Sequence, residues 1–206
     1  MVLIILGGCD SYSLLDQFIL NSELRLTPQS TTLKPGETSL LYLEGGTAPY
    51  LLYATNGGVY DDGTALDLGS IDDSAPSYSY TAGNSIGPVT IRFSDSLGFA
   101  TSTTITVVPH APDSVIADGT IVGPQTVEIT WSYPFPDKIQ GFRIMRSQDG
   151  TTFTVLDGAE SLPRLPTSFV DGTASPSSMN YYVVYAIAGS YQSANSIEAS
   201  AWGNPP

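Results

Sequence analysis

From Leu24 onward the chain is broken about every ten residues by a pair of turn formers, a spacing that leaves room for short strands and little else. The first breaks are Pro35-Gly36, Gly45-Gly46, Gly57-Gly58, Asp62-Gly63, Gly83-Asn84 and Leu97-Gly98. Between them lie β-prone runs at 39–43, 50–54, 77–80, 89–94 and 101–107. In Val89-Thr90-Ile91-Arg92-Phe93 apolar and polar residues alternate, so 89, 91 and 93 face a core. Thr103-Thr104-Ile105-Thr106-Val107 repeats the pattern, with Ile105 and Val107 inward. Short, regular strands between Gly and Pro turns predict an antiparallel β-sandwich. The 206 residues are enough for two such domains, each of roughly 100 residues. An apolar share of 41% supplies their cores.

Val108-Pro109-His110-Ala111-Pro112 marks the boundary. Two prolines this close keep the backbone extended and stop strand pairing from running through. Residues 24–108 are then a first domain, 109–112 a hinge and 113–203 a second domain. Several pieces of the first domain are similar to the immunoglobulin-like repeats of bacterial surface proteins. They are Leu33-Lys34-Pro35-Gly36-Glu37, Gly45-Gly46-Thr47-Ala48-Pro49-Tyr50, Tyr80-Thr81-Ala82-Gly83-Asn84, Val89-Thr90-Ile91 and Asp95-Ser96-Leu97-Gly98.

The second domain resembles a fibronectin type III domain. Val127-Glu128-Ile129-Thr130-Trp131 matches that family's second strand, which makes Trp131 the core tryptophan. Gly141-Phe142-Arg143-Ile144-Met145-Arg146-Ser147 and the Asp149-Gly150 turn match the third strand and its exit. Ser168-Phe169-Val170-Asp171 and Tyr181-Tyr182-Val183-Val184-Tyr185-Ala186 match the fifth and sixth, and Ala194-Asn195-Ser196 opens the last. Alternation puts Val127, Ile129 and Trp131 on one inward face and Tyr182, Val184 and Ala186 on the other. Aligned on Ala186, the family's tyrosine-corner position falls on Asn180, while parity also allows Tyr182 to take that role.

The N-terminus carries the sole cysteine, at the end of Met1-Val2-Leu3-Ile4-Ile5-Leu6-Gly7-Gly8-Cys9. Leu6-Gly7-Gly8-Cys9 resembles a bacterial lipobox. The resemblance implies cleavage before Cys9 and a diacylglyceryl group on its thiol. Residues 1–8 would be a signal remnant and 9–23 a lipidated tether. Each buried methylene contributes about 0.8 kcal/mol, so two or three acyl chains hold a protein to a bilayer. No Lys or Arg precedes the apolar run, and the run is short for an export signal; a start site further upstream accounts for both departures. Read without the resemblance, Val2–Leu6 is a short buried strand and Cys9 a small core residue. In the tether, Leu14, Leu15, Phe18 and Ile19 fit one face of a short helix.

A net charge of −13 with only seven basic residues repels phosphate backbones, which excludes nucleic acid as a partner. It also repels anionic headgroups, so membrane contact falls to the lipid. One cysteine cannot form an internal disulfide, and with one histidine the chain offers no His-based triad or zinc cluster. His110, in the hinge, reads as a solvated linker residue. Asp61, Asp62, Asp67, Asp72 and Asp73 crowd one segment and read as a solvated acidic loop. Calcium is the second reading there, with Asp61, Asp62 and Asp67 as ligands.

Tyr50, Tyr53, Tyr60, Tyr78 and Tyr80 read mostly as half-buried strand residues. Tyr133-Pro134-Phe135-Pro136 is the exposed aromatic candidate, since its prolines hold the Tyr133 and Phe135 rings outward at little entropic cost. Arg143 and Arg146 fall on opposite faces or edges of a strand, where they favour solubility and protect the strand from pairing.

The expected protein is all-β, with two tandem β-sandwich domains behind a short tether. The expected function is non-catalytic: binding, adhesion or scaffolding with a protein partner at a bacterial envelope, periplasmic or surface-exposed, and anchored through lipid on Cys9. Polysaccharide binding through the tyrosines of the first domain is the alternative.

Overall fold

The computed structural model describes residues 24–55, 69–72, 78–120 and 123–205, the segment 69–72 by its backbone alone. They divide into two compact units between Val107 and Val108. The stretch expected to be a lipobox with Cys9 and a tether, and Tyr60, Asp61, Asp62, Asp67 and Asp73, lie outside the described residues.

Unit 1 is a sandwich of two four-stranded sheets. One has the order β1-β3-β6-β5, formed by Arg25–Pro28, Thr38–Glu44, Tyr78–Ala82 and Gly69–Asp72. The other has the order β2-β8-β7-β4, formed by Thr32–Leu33, Ala100–Val107, Gly87–Ser94 and Leu51–Thr55. All pairings are antiparallel except the short parallel one of β2 on β8. As alternation predicts, Val89, Ile91 and Phe93 of β7 and Ile105 and Val107 of β8 are buried. Leu26, Leu41, Leu52 and Tyr80 complete that core with them.

The β7–β8 turn is held by Asp95, whose carboxylate accepts from the Leu97, Phe99 and Thr47 backbone N–H groups. The Thr47 bond ties this turn to the Gly45-Gly46 loop. Gly46 has φ of +76°, and a Cβ there would strike the Leu24 side chain and press on Asp95, so only glycine fits.

In unit 2, one sheet has the order β14-β10-β9: Ser168–Asp171, Val127–Ser132 and Asp113–Asp118. The other is built on the pairing of β11, Gly141–Ser147, with the long β15, Met179–Ala188. Short strands β12 (Thr154–Val155) and β13 (Leu162–Pro163) flank β11, and β16 (Tyr191–Gln192) and β17 (Ala199–Trp202) flank β15. Val127, Ile129, Trp131, Phe142, Ile144, Tyr182, Val184 and Ala186 are all buried between the sheets.

The last strand differs from the sequence expectation. Its regular part begins at Ala199, and the stretch before it follows β15 through hydroxyl groups. Ser196 Oγ accepts from Val184 N–H, and Ser193 Oγ accepts from Ala186 N–H. Each hydroxyl also donates, to Ile197 O and Ala194 O, so it replaces a ladder carbonyl while staying satisfied.

Arg146 also departs from expectation. It is no solvent-facing guard of a strand: its guanidinium sits 2.6 Å from the carboxylate of Asp171, whose side chain is 1% exposed. The Tyr182 hydroxyl donates to the same carboxylate oxygen at 2.8 Å, and Thr173 donates to the other oxygen from its backbone N–H and its hydroxyl. Arg146 and Tyr182 belong to one sheet and Asp171 to the other, so the cluster clamps the sandwich. Arg143, on the opposite face of β11, donates to Glu160 O and to the Gln192 side chain.

The corner question resolves into a division of labour. Asn180 is fully buried and its amide bonds Ser175 N–H, Ser175 O, Ser178 O and Ala201 O, holding the turn before β15. Tyr182 closes the Asp171 cluster.

Removing one member of a buried ion pair strands the others, at a cost of about 3–5 kcal/mol. Asp171→Ala is expected to lower the unfolding free energy of unit 2 by that order in urea titrations followed by Trp131 fluorescence; a loss below about 1 kcal/mol would contradict the clamp. Burial, and then the Asp171 charge, push the Tyr182 phenol well above its ordinary value of 10.0. The neutral phenol is thus favoured in the fold, and the stability it confers is full below pH 10 and lost as the pH climbs beyond it. Tyr182→Phe should flatten that alkaline decline, measured as unfolding free energy against pH.

Candidate functional site

The exposed aromatic candidate, Tyr133-Pro134-Phe135-Pro136, follows β10 and runs into a single 3-10 turn at Pro136–Lys138. Tyr133 does not project into solvent. It is half-buried, and its ring packs edge-on against Phe142 with centroids 5.5 Å apart. Phe142 in turn packs edge-on against Trp131 at 5.1 Å. Among the described residues no acceptor meets the buried Trp131 indole N–H, and the ring packs against Phe142.

Desolvation pushes the Tyr133 phenol up to about 12, against a hydrogen bond from the His110 backbone. A bond that favours the phenolate is one in which the backbone N–H donates. Phe135 is 38% exposed, with its ring 5.5 Å from the His110 imidazole. His110 is therefore half-buried and seated on unit 2, in contrast to a solvated linker residue. Tyr133 and Phe135 hold the start of unit 2 in place: one bonds its backbone, the other covers its ring. The outer face of Phe135 remains exposed.

The tyrosines of unit 1 separate by strand face. Tyr80 is fully buried, while Tyr50 and Tyr78 are partly buried against the core, Tyr50 edge-on to Phe93 at 5.0 Å. Tyr53 is exposed on β4, opposite Arg92 of β7 in the strand register. Tyr42 and Leu40 are exposed on the outer side of β3. These outward rings stand on different sheets. Of the acidic segment, only the Asp72 backbone is described, at the end of β5. Among the described residues no His, Cys, Asp or Glu group is arranged to hold a metal ion, and no helix is long and apolar enough to cross a membrane.

An aromatic surface that the sequence reading passed over lies where β9 and β17 end. A groove of about 340 Å³ there is lined by Ala117, Asp118, Gly119, Trp202, Gly203 and Asn204, among others. Trp202 is 54% exposed. The signal was present in Ala199-Ser200-Ala201-Trp202, where alternation with inward alanines turns the ring outward. Four of its lining residues, Ala117, Gly119, Ala201 and Gly203, are small. At Gly119 a Cβ would collide with the Trp202 carbonyl oxygen, so glycine alone allows the two strand ends to approach. Asp118 Oδ1 accepts two bonds from Thr120, backbone and hydroxyl, both 2.7 Å. These bonds lower the Asp118 pKa and keep the group ionised.

Neither a protein-family model nor a curated protein sequence matches the chain. Solved structures do. A two-domain fibronectin type III segment from chicken tenascin is similar over 87% of this chain and 97% of that one, with a TM-score of 0.56 and 12% identity. An Fn3-like protein from Clostridium thermocellum is similar over 45% of this chain and 91% of that one, with 23% identity and a TM-score of 0.37. At such identities the likeness is one of fold, and the tenascin segment supports an all-β pair of sandwiches.

Tyr133→Phe removes the acceptor of the His110 amide and keeps the ring. Hydrogen exchange at the His110 N–H should speed up about fivefold, the equivalent of one ordinary hydrogen bond of about 1 kcal/mol. Unchanged protection would show that the bond does not hold the segment.

Proposed function

We propose that this chain is a non-catalytic, lipid-anchored protein of a bacterial cell envelope that presents two β-sandwich modules to a protein partner. The observation that carries the reading is the extended likeness to a tandem fibronectin type III segment. Such modules work through exposed faces and loops, because their interiors are filled by side chains and leave no cleft for chemistry. Here the outward aromatic residues Tyr42, Tyr53, Phe135 and Trp202 stand on surfaces and not in an enclosed site. The reading takes unit 1 as a bacterial immunoglobulin-like repeat and unit 2 as a fibronectin type III domain.

The anchor rests on Leu6-Gly7-Gly8-Cys9 and the tether that follows. With a strongly negative body, the lipid is the part of such a protein that holds a membrane. Attachment at the N-terminus leaves both sandwiches on the aqueous side, periplasmic or at the cell surface.

Mass spectrometry of the mature N-terminus from bacterial membranes tests the anchor. The expected product begins at Cys9 and carries a diacylglyceryl thioether, and Cys9→Ser should move the protein from the membrane to the soluble fraction. An intact residue 8–9 peptide bond with an unmodified thiol would overturn it.

A further inference from the structure

On the outer face of the β2-β8-β7-β4 sheet of unit 1 we infer a binding surface for an acidic polysaccharide, a chain of pyranose rings bearing carboxylates. Tyr53 stacks on a sugar ring and Arg92 pairs with its carboxylate. The inference goes beyond the protein-binding reading above and does not depend on it.

The strand registers lay this face out in rows. Tyr53 of β4 stands opposite Arg92 of β7, and Arg92 stands opposite Ser102 of β8. The row to one side is Thr55, Thr90 and Thr104, and the row to the other is Leu51, Ser94 and Ala100. Alternation with the buried Leu52, Ile91, Phe93 and Ile105 turns these residues outward. With strands about 4.8 Å apart and alternate residues about 6.7 Å apart, the three rows cover roughly 10 by 13 Å, room for a short run of sugar rings.

Two groups on the face are left without a partner. Tyr53 is 45% exposed and meets no other ring among the described residues. Arg92 is exposed, and no ion pair or ring contact among the described residues engages it. Arg25, Lys34, Lys138 and Arg146 each meet a carboxylate, and Arg143 bonds Glu160 O and Gln192. With 20 acidic residues to 7 basic ones, a cation readily finds a carboxylate in its own chain, yet Arg92 faces hydroxyls.

That combination selects the ligand. Opposed residues have Cβ atoms about 4.5–5.5 Å apart, so one sugar residue can engage both side chains. The phenol ring takes the apolar face of a pyranose, and the guanidinium fork takes a carboxylate. Hydroxyl groups donate and accept, which suits the hydroxyls of a sugar. A phosphate polymer of open-chain polyols would satisfy Arg92 and leave Tyr53 no ring, and a neutral glycan would do the reverse. Ser and Thr are under-represented among the residues that anchor protein partners, and here they hold most of the face. The charge of −13 opposes a polyanion at long range, but it is screened beyond about 8 Å at physiological ionic strength, and these rows contain no acid.

The test titrates the full chain with tetragalacturonate and with its methyl ester, which keeps the rings and removes the charge, followed by NMR. Tetragalacturonate is expected to shift the Tyr53, Arg92 and Ser102 amides saturably while Ile129 and Val184 of unit 2 stay in place. It should bind about fivefold more tightly than the ester, the equivalent of one exposed ion pair. Arg92→Gln should bring acid and ester to equal affinity, and Tyr53→Ala should weaken both about threefold or more. Both positions are exposed, so the spectra of the variants away from this face should be unchanged. Equal binding of acid and ester to the unaltered chain, a preference that survives Arg92→Gln, shifts confined to other strands, or no response to either probe would overturn the inference. Photo-cross-linking from Ser102 in cells separates a glycan from a protein: a protein adduct that tetragalacturonate does not displace would assign the face to a protein and overturn it as well.

Discussion

Unit 2 closes on one buried carboxylate. Asp171 is the terminal residue of β14, and its two oxygens receive Arg146, Tyr182 and two groups of Thr173. Burying a charge is costly unless its acceptor sites are filled, and here they are. The geometry gives the cost a use. Apolar residues between two sheets attract without direction, so they would tolerate one sheet sliding on the other. A carboxylate that must meet an arginine and a phenol from the facing sheet does not tolerate it. Asn180, nine residues further along the chain, applies the same logic, tying the turn and β17 to the start of β15 with a single amide.

What was legible in the sequence was whatever depended on period-two burial. Val89, Ile91 and Phe93 in unit 1, and Val127, Ile129 and Trp131 in unit 2, announce their faces because each sheet has one wet side and one dry side. The turns were legible for a related reason. Asp149-Gly150 requires a residue at positive φ, and Gly150 has one, while the Asp149 carboxylate accepts from Thr151 and Thr152.

What was not legible depended on partners distant in the chain. Parity placed Arg146 opposite Arg143, but an arginine pointing inward makes sense only once Asp171, 25 residues later, is known to meet it. Ser193 and Ser196 read as loop residues because hydroxyls that take the place of ladder carbonyls follow no period. Pro134 and Pro136 suggested rings held outward. Proline fixes the backbone but not the surroundings, and the surroundings of Tyr133 include Phe142 and the His110 backbone.

The two aromatic surfaces of unit 2 illustrate how a ring's role follows from its neighbours. Phe135 sits against His110, so part of its apolar area is already removed from water by its own chain. Trp202 has Ala117, Gly119, Ala201 and Gly203 among the residues around it, and more than half of it remains in solvent. A sandwich can place a bulky residue inward in the same strand by exchanging it with an alanine, yet β17 keeps Ala199 and Ala201 facing in and Trp202 facing out. Leaving that much aromatic surface exposed forgoes stabilisation the fold could have had, about 25 cal/mol for each Å².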